Sequence, residues 1–367
     1  MTLTQDAVRE LASFKGGDSL VVSLYLDVDG RKYPRSHDYE VQLEHLVRVA
    51  NGSEAAEDIR RIESFVRAGI DRSKTRGLAI FSAAGAGLWR VIPLPVPVRN
   101  QIAVNQSPQV RQLEAVLDEY HRFGLLLVDR QRTRLFVFEL GQLVDKSEQL
   151  DQLPRHEDVG GVERDHVRDH VAAHAHQHVR RAAQLAFHVH QQQALDHLIL
   201  CAPDDVRPDL ERELHSYLRD RIAARLTLPT SARDDDIRQA ALTVELQLRR
   251  ARHAALVARL RDSAPVGGHG PHGATGLANV LAALAEKRVE ILLVGEDYEA
   301  EGWDCRGCGA LAAVGPTCRQ CGGTMDRVDD VVEAAVDRGV LQHCRVVVVA
   351  GNADLDVLGR IGALLRF

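Results

Sequence analysis

The residues in this chain best suited to chemistry are four cysteines, arranged as Cys305-Arg-Gly-Cys308 and Cys318-Arg-Gln-Cys321 with nine residues between the pairs. Two Cys-x-x-Cys knuckles at this separation supply four thiolates to one tetrahedral ion. Zinc favours such a sulfur set, and four protein ligands leave no position for water, so the implied site is structural rather than catalytic. Gly309 and Gly322 directly follow the second cysteine of each knuckle, where a tight turn must aim its amides back at sulfur. The competing reading is a pair of redox disulfides or four loose thiols. The other two cysteines, Cys201 in LILCA and Cys344 beside RVVVVA, sit in or next to apolar runs and read as buried thiols.

Two further constellations stand out. Gly160-Gly161 lies in the polar, proline-containing loop LPRHEDVGGVERDH. Adjacent glycines permit positive φ or close approach to another molecule, although they also serve any plain turn. Then His166, His170, His174 and His178 recur every four residues, with His176, His188 and His190 nearby. That spacing predicts one stripe along a helix. Such a stripe suits a metal, a pH response or, when protonated, RNA phosphate. A solvated or RNA-facing helix face is preferred, because no His-Glu-x-x-His pattern is present. Phosphate-binding glycine loops, dinucleotide fingerprints and nucleophile elbows are also missing from the sequence. Gly85-Ala-Gly87 joins two strand-like runs and reads as a hairpin.

The elements that must position these groups form a chain of 367 residues, long enough for two or three domains. It is 45% hydrophobic and 27% charged, with a net charge of −6. That balance excludes a protein coated in basic charge but leaves room for a local basic face. The sequence has no eighteen-residue apolar run and no basic-then-apolar start, so a cytoplasmic protein is expected. In the first segment, to about residue 118, strands are predicted at 21–26, 78–82 and 88–92 and helices at 39–49 and 55–68. The second segment reads as strands at 123–129, 135–140 and 142–148, a helix from 163 to 192, and a strand at 197–201. It continues with a helical stretch in DDVRPDLERELHSYL, a strand at 225–228 and a helix over 234–261. VGGHGPHGATG, with five glycines in eleven residues, reads as a flexible hinge. Beyond it, helices at 276–286 and 328–338 alternate with strands at 289–294 and 346–350 and a closing strand in IGALLRF. The cysteine module is inserted between them.

This order of elements, with FGLLLVDRQRTRLFVFELG, LPRHEDVGG and VRDHVAAHAHQHVRRAAQ, resembles the central domain of the archaeal and eukaryotic class-one peptide chain release factor family. The likeness continues through HLILCAPDDVRPDLERELH and resumes with GLANVLAALAEKRVEILLVGEDY. It covers about residues 119–367, and residues 1–118 only in outline. The resemblance implies an α/β (α+β) protein of three domains. These are an N-terminal α/β domain (1–118), a central RNase H-like domain with a mixed sheet and a Gly-Gly loop (119–265), and a C-terminal α/β/α sandwich (272–367). The last is ribosomal protein-like and carries a zinc ribbon inserted at 303–326.

In that family a Gly-Gly-Gln tip reaches the peptidyl-transferase centre, whereas here the tip reads Gly160-Gly161-Val162. Valine offers neither donor nor acceptor to position a hydrolytic water, and the first domain lacks the Asn-Ile-Lys-Ser signature of stop-codon reading. The resemblance therefore points to the non-hydrolytic bacterial branch, the Pelota-like and Balon-like factors of ribosome rescue and hibernation, with no catalytic residue assigned. It implies that Gly160, Gly161 and Val162 enter the ribosomal core. Arg164, Arg168, His170, His174, Arg180 and Arg181 would lie against ribosomal RNA through salt-sensitive phosphate contacts. The implied partners are the ribosome, at its A site and P-site tRNA, and a translational GTPase such as EF-Tu docked on the third domain. The implied cofactor is one structural Zn2+ held by Cys305, Cys308, Cys318 and Cys321. Two alternatives stay open: a divergent release factor or peptidyl-tRNA hydrolase using a group other than glutamine, and a metal-dependent RNA-processing enzyme built on the histidine stripe.

Overall fold

Runs of leucine, valine and isoleucine become strands covered on both faces, and three sheets of the protein are built this way. The computed structural model describes residues 3–17, 19–50, 55–73, 75–118, 121–139, 142–150 and 161–367; the side chains of Val49, Gln149, Leu150 and residues 161–173 lie outside that description. Helix α1 (Gln5–Ser13) starts at Thr4, whose hydroxyl accepts from the Ala7 amide at 3.2 Å. Strand β1 (Val21–Asp27) is buried throughout. Because strand side chains alternate, Val22, Leu24 and Leu26 pack against α2 (Ser36–Val49) and α3 (Ala56–Arg67). Val21 and Tyr25 join the opposite core. β2 (Gly77–Ala83), β3 (Leu88–Leu94) and β4 (Gln101–Asn105) complete an antiparallel sheet of order β3-β2-β1-β4, followed by α4 (Arg111–Asp118). The sequence reading placed no element at α1, β4 or α4. For α1 a usable cue was present, a capping threonine before the apolar positions Ala7, Val8, Leu11 and Ala12.

The middle of the chain runs β5 (Arg122–Val128), β6 (Arg132–Glu139), β7 (Gln142–Leu150), α5 (Gly161–Gln193), β8 (His197–Cys201), α6 (Arg207–Glu213), α7 (Ser216–Arg219), β9 (Ile222–Leu226) and α8 (Asp234–Ser263). Its sheet has the order β7-β6-β5-β8-β9. β5, β6 and β7 are antiparallel neighbours, whereas β8 and β9 run parallel to β5. Val179, Ala182, Ala183, Ala186 and Val189 of α5 cover one face. Ile237, Ala241 and Val244 of α8 cover the other. The mixed sheet expected from the sequence is therefore present, with β9 three residues earlier than predicted.

The remainder comprises β10 (Gly273–Thr275), α9 (Leu277–Ala285), β11 (Val289–Gly295), β12 (Gly302–Cys305), β13 (Leu311–Ala312), β14 (Met325–Val328), α10 (Val331–Leu341), β15 (Arg345–Val349), α11 (Ala353–Val357) and β16 (Ile361–Leu365). The sheet β10-β16-β11-β15 lies between α9 and α10 on one side and α11 with the end of α8 on the other. Strands β13-β12-β14 form a small separate sheet. Helix α10 starts later than predicted because β14 extends to Val328 and Asp330 caps the helix, accepting from the amides of Val332 and Glu333.

The glycine-rich stretch before α9 is not the flexible hinge expected from its composition. Its chain folds back as β10, and the Thr275 hydroxyl donates to the Pro265 carbonyl. A Cβ on Gly270 would fall 1.9 Å from the Ser263 carbonyl oxygen, so glycine serves close packing here rather than mobility. The protein packs as two compact units, one of Met1–Glu119 with Arg252–Phe367 and one of Tyr120–Ala251. Residues 1–118 and 272–367 thus belong to a single unit.

Candidate functional site

The four cysteines converge. β12 delivers Cys305, its turn carries Cys308, and the segment between β13 and β14 brings Cys318 and Cys321. Their sulfurs all lie within 4.8 Å of one another. The closest pairs, Cys305–Cys321 and Cys308–Cys318, are each 3.5 Å apart. That is too long for a disulfide, near 2.0 Å, and close to the ~3.8 Å edge of a tetrahedron with metal–sulfur bonds of about 2.3 Å. All four are free thiols. The disulfide reading is therefore out, and the set could hold one metal ion.

Local geometry explains why these residues fold into such a cradle. The Gly309 amide donates to the Cys305 carbonyl at 2.7 Å, and the Gly322 amide to the Cys318 carbonyl at 2.9 Å. Both glycines have positive φ, 70° and 72°, as the turn requires. These turns point amides at sulfur. Amides at Cys308 lower the Cys305 thiol, and those of Cys321 and Gln320 bring Cys318 down to about 6, so these two favour the thiolate that a metal needs, whereas sharing protons with them pushes Cys308 up to about 12 and raises Cys321. Cys305 and Cys318 are buried with Ala310 and Met325, and Trp303 packs against them.

Two supporting residues escaped the sequence reading. The Arg338 guanidinium of α10 lies 3.1 Å from where a Cβ on Gly309 would sit, placing a cation on the first knuckle. The Trp303 ring closes over Gly315, leaving no room for a Cβ there. The juxtaposition of Trp303 with the cysteine run was visible as GWDC; that of Arg338 was not, since it comes from the next helix.

The other predicted residues fall along α5. Gly160 lies outside the described residues, and Gly161 is the first residue of the helix. Val162, Arg164, Arg168 and His170 are on α5, with side chains outside the description. His174 is half-buried, while Arg180 and Arg181 are exposed. Arg180 and His176 both approach Glu213 of α6, at 3.9 and 3.7 Å.

The histidines do not share one face. His178 is buried, with its Nε2 3.1 Å from the Thr133 hydroxyl of β6. At 3.6 residues per turn, steps of four advance each histidine by about 40°, so the last is turned roughly 120° from the first. Of the described members, His174 is half-buried and His178 is turned onto the sheet. Among the described residues, the cysteines are the one group of three or more metal-ligating side chains that converges.

Residues 108–246 match the family model described as "Bacterial archaeo-eukaryotic release factor family 10". No curated protein matches the chain. Among solved structures, Archaeoglobus fulgidus Pelota is 14% identical, with the match covering 100% of this chain and 93% of that one at a TM-score of 0.37. An archaeal translation termination factor, aRF1, is 14% identical over 100% of this chain and 99% of that one, with a TM-score of 0.24. S. cerevisiae Dom34, described as a translation termination-like factor involved in RNA quality control pathways and interacting with Hbs1, is 10% identical over 77% and 74%, with a TM-score of 0.39. Scores this low carry no argument for function.

Proposed function

We propose, from the match of residues 108–246 to that family model, that the chain is release-factor-like and acts as a cytoplasmic, ribosome-associated translation factor. In this reading it occupies the A site during hibernation or rescue and does not hydrolyse the peptidyl bond. The observation that carries the reading is the family match over the segment that contains the sequence Gly160-Gly161-Val162 and the 33-residue helix α5, which starts at Gly161. A long helix entered through a glycine pair is suited to deep insertion, because glycine adds no side-chain bulk at the tip. Valine at the third position supplies no polar group to orient water.

Arg164, Arg168, His170, His174, Arg180 and Arg181 are the proposed ribosomal RNA contacts. Exposure of Arg180 and Arg181 supports that assignment for the described part of the helix. The three-domain division, with 1–118, 119–265 and 272–367 as functional parts, belongs to the same proposal. So does docking of a translational GTPase such as EF-Tu on the C-terminal part. Zn2+ is the proposed ion for the four cysteines. Four thiolates with amide support suit a soft, closed site, whose contribution is to hold β12, β13 and β14 in place. No helix among the described residues is long and apolar enough to cross a membrane.

Cosedimentation with 70S ribosomes from starved cells, at low and then rising salt, tests the reading. Binding that weakens steeply with salt is expected for phosphate contacts, and failure to bind at low salt overturns it. Release of labelled peptide from stalled ribosomes should stay at background. Metal analysis should return one zinc per chain, lost when the cysteines are replaced.

A further inference from the structure

A second concentration of charge lies where the segment running into α4 meets α10. Glu333 and Asp337, one turn apart on α10, are 5% and 4% exposed, and Arg111 opposite them is 6% exposed. The Arg111 amide donates to Glu333 Oε1 at 2.9 Å, and its Nε lies 3.3 Å from Oε2. One terminal nitrogen is 3.6 Å from Asp330 Oδ2, and the other donates to the Tyr298 carbonyl at 2.5 Å. Ser107 donates to Asp337 Oδ2 at 3.3 Å, but Oδ1 of Asp337 is buried without a partner. The surrounding core is apolar: Val110 and Leu113 of that segment, Tyr25 of β1, and Val332 and Val336 of α10 belong to one buried cluster.

The charges do not balance. Asp330 and Glu333 both face the single guanidinium of Arg111, and Asp337 beside them has Ser107 but no cation within hydrogen-bond reach. The remaining groups that act on the pair are Tyr25 of β1, Lys15 after α1 and Arg338 on α10 itself; Lys15 and Arg338 act on Asp337 without a hydrogen bond. Burying uncompensated carboxylates is costly enough that such groups take up protons instead. With Glu333 and Asp337 neutral, Arg111 and Asp330 remain as a balanced pair.

We propose that this contact is a proton-operated latch: Glu333 and Asp337 hold protons while residues 105–113 are seated on α10 and release them when that segment lifts away. Burial raises the Glu333 carboxyl to about 7 and carries Asp337 well above the ordinary carboxylate range. The sign follows from which form binds more protons. The seated form does, so its advantage is complete below the ordinary Glu value of 4.5 and is lost as pH rises through about 7. Each proton shifts the equilibrium by about tenfold per pH unit inside that window. The latch stands apart from ribosome binding, since no residue of α5 takes part.

Hydrogen–deuterium exchange of the full chain from about pH 5.5 to about pH 8.5, corrected for intrinsic rates, reads the latch directly. Protection of α4 and α10 should fall by about tenfold per pH unit up to about pH 7 through the Glu333 proton, with the Asp337 proton steepening the fall, while β8 holds its protection. Glu333→Gln and Asp337→Asn keep the neutral form permanently, and each should flatten the profile. An infrared band of a protonated, buried carboxyl at about pH 6 should appear in the unmodified chain, which keeps the test decisive if the variants do not fold. Protection independent of pH in the unmodified chain, an undiminished slope in Glu333→Gln, or no such band would each overturn the proposal.

Discussion

The cysteine knuckles and the Arg111 cluster both gather polar groups into apolar surroundings, but they close across very different stretches of chain. Cys305 and Cys321 are 16 positions apart; Arg111 and Glu333 are 222 apart. The ribbon is assembled by its own turns, with glycines at positive φ and amides aimed at sulfur, so little outside β12, β13 and β14 is needed to shape it. The Arg111 cluster has no local geometry. It exists only because two distant segments pack on a shared core. A metal clip should therefore fail locally and a buried ion cluster globally.

The largest expected effect comes from breaking the clip. On the proposed zinc reading, Cys305→Ser or treatment with a chelator removes a site of the kind worth roughly 10 kcal/mol or more in isolated zinc modules. Hydrogen exchange should show protection lost over residues 302–328 and weakened in the neighbouring part of α10, with β11 still protected. Loss across the whole of unit Met1–Glu119 with Arg252–Phe367 would erase the contrast. Arg111→Met comes next. It strands the buried Asp330 carboxylate without its cation and should lower the stability of that unit by about 3–5 kcal/mol in chemical denaturation. A change below about 1 kcal/mol would mean the cluster is already neutral without Arg111.

Gly309→Ala is smaller. It forces a side chain into left-handed backbone and against Arg338, and should cost about 1–2 kcal/mol of ribbon stability, seen as weaker retention of metal in competition with a chelator. The smallest effect belongs to α5. Arg180→Ala with Arg181→Ala should leave thermal stability within about 0.5 kcal/mol and, on the ribosome reading, reduce the slope of log affinity against log salt by about one per lost phosphate contact. An unchanged slope would remove these two residues from the proposed RNA face.

Local patterns carried well from sequence to structure wherever one element decides the outcome. The strand runs at β5, β8 and β11 appear within a residue of their expected places and β6 begins three residues earlier, because apolar runs of that length have few alternatives to a covered strand. The cysteine spacing led directly to the sulfur cradle. Patterns whose meaning depends on a partner did worse. The glycine-rich stretch at 266–276 looked like a hinge, yet Gly270 and Gly273 are small because Ser263 and Ala264 crowd them. The histidine row looked uniform, yet His178 turns inward to Thr133 as the helix winds onto its sheet.

What the sequence determined by itself is what short-range stereochemistry controls: the four-thiol site, the turns after Cys308 and Cys321, the long helix following Gly160-Gly161, and the strands of the mixed sheet. What only the tertiary structure decided is which distant residues share a buried space. Arg111, Glu333 and Asp337 carry no mark in the sequence that distinguishes them from surface charges. Their properties arise from desolvation and from the charges packed around them, and both are set by packing across 222 positions of chain.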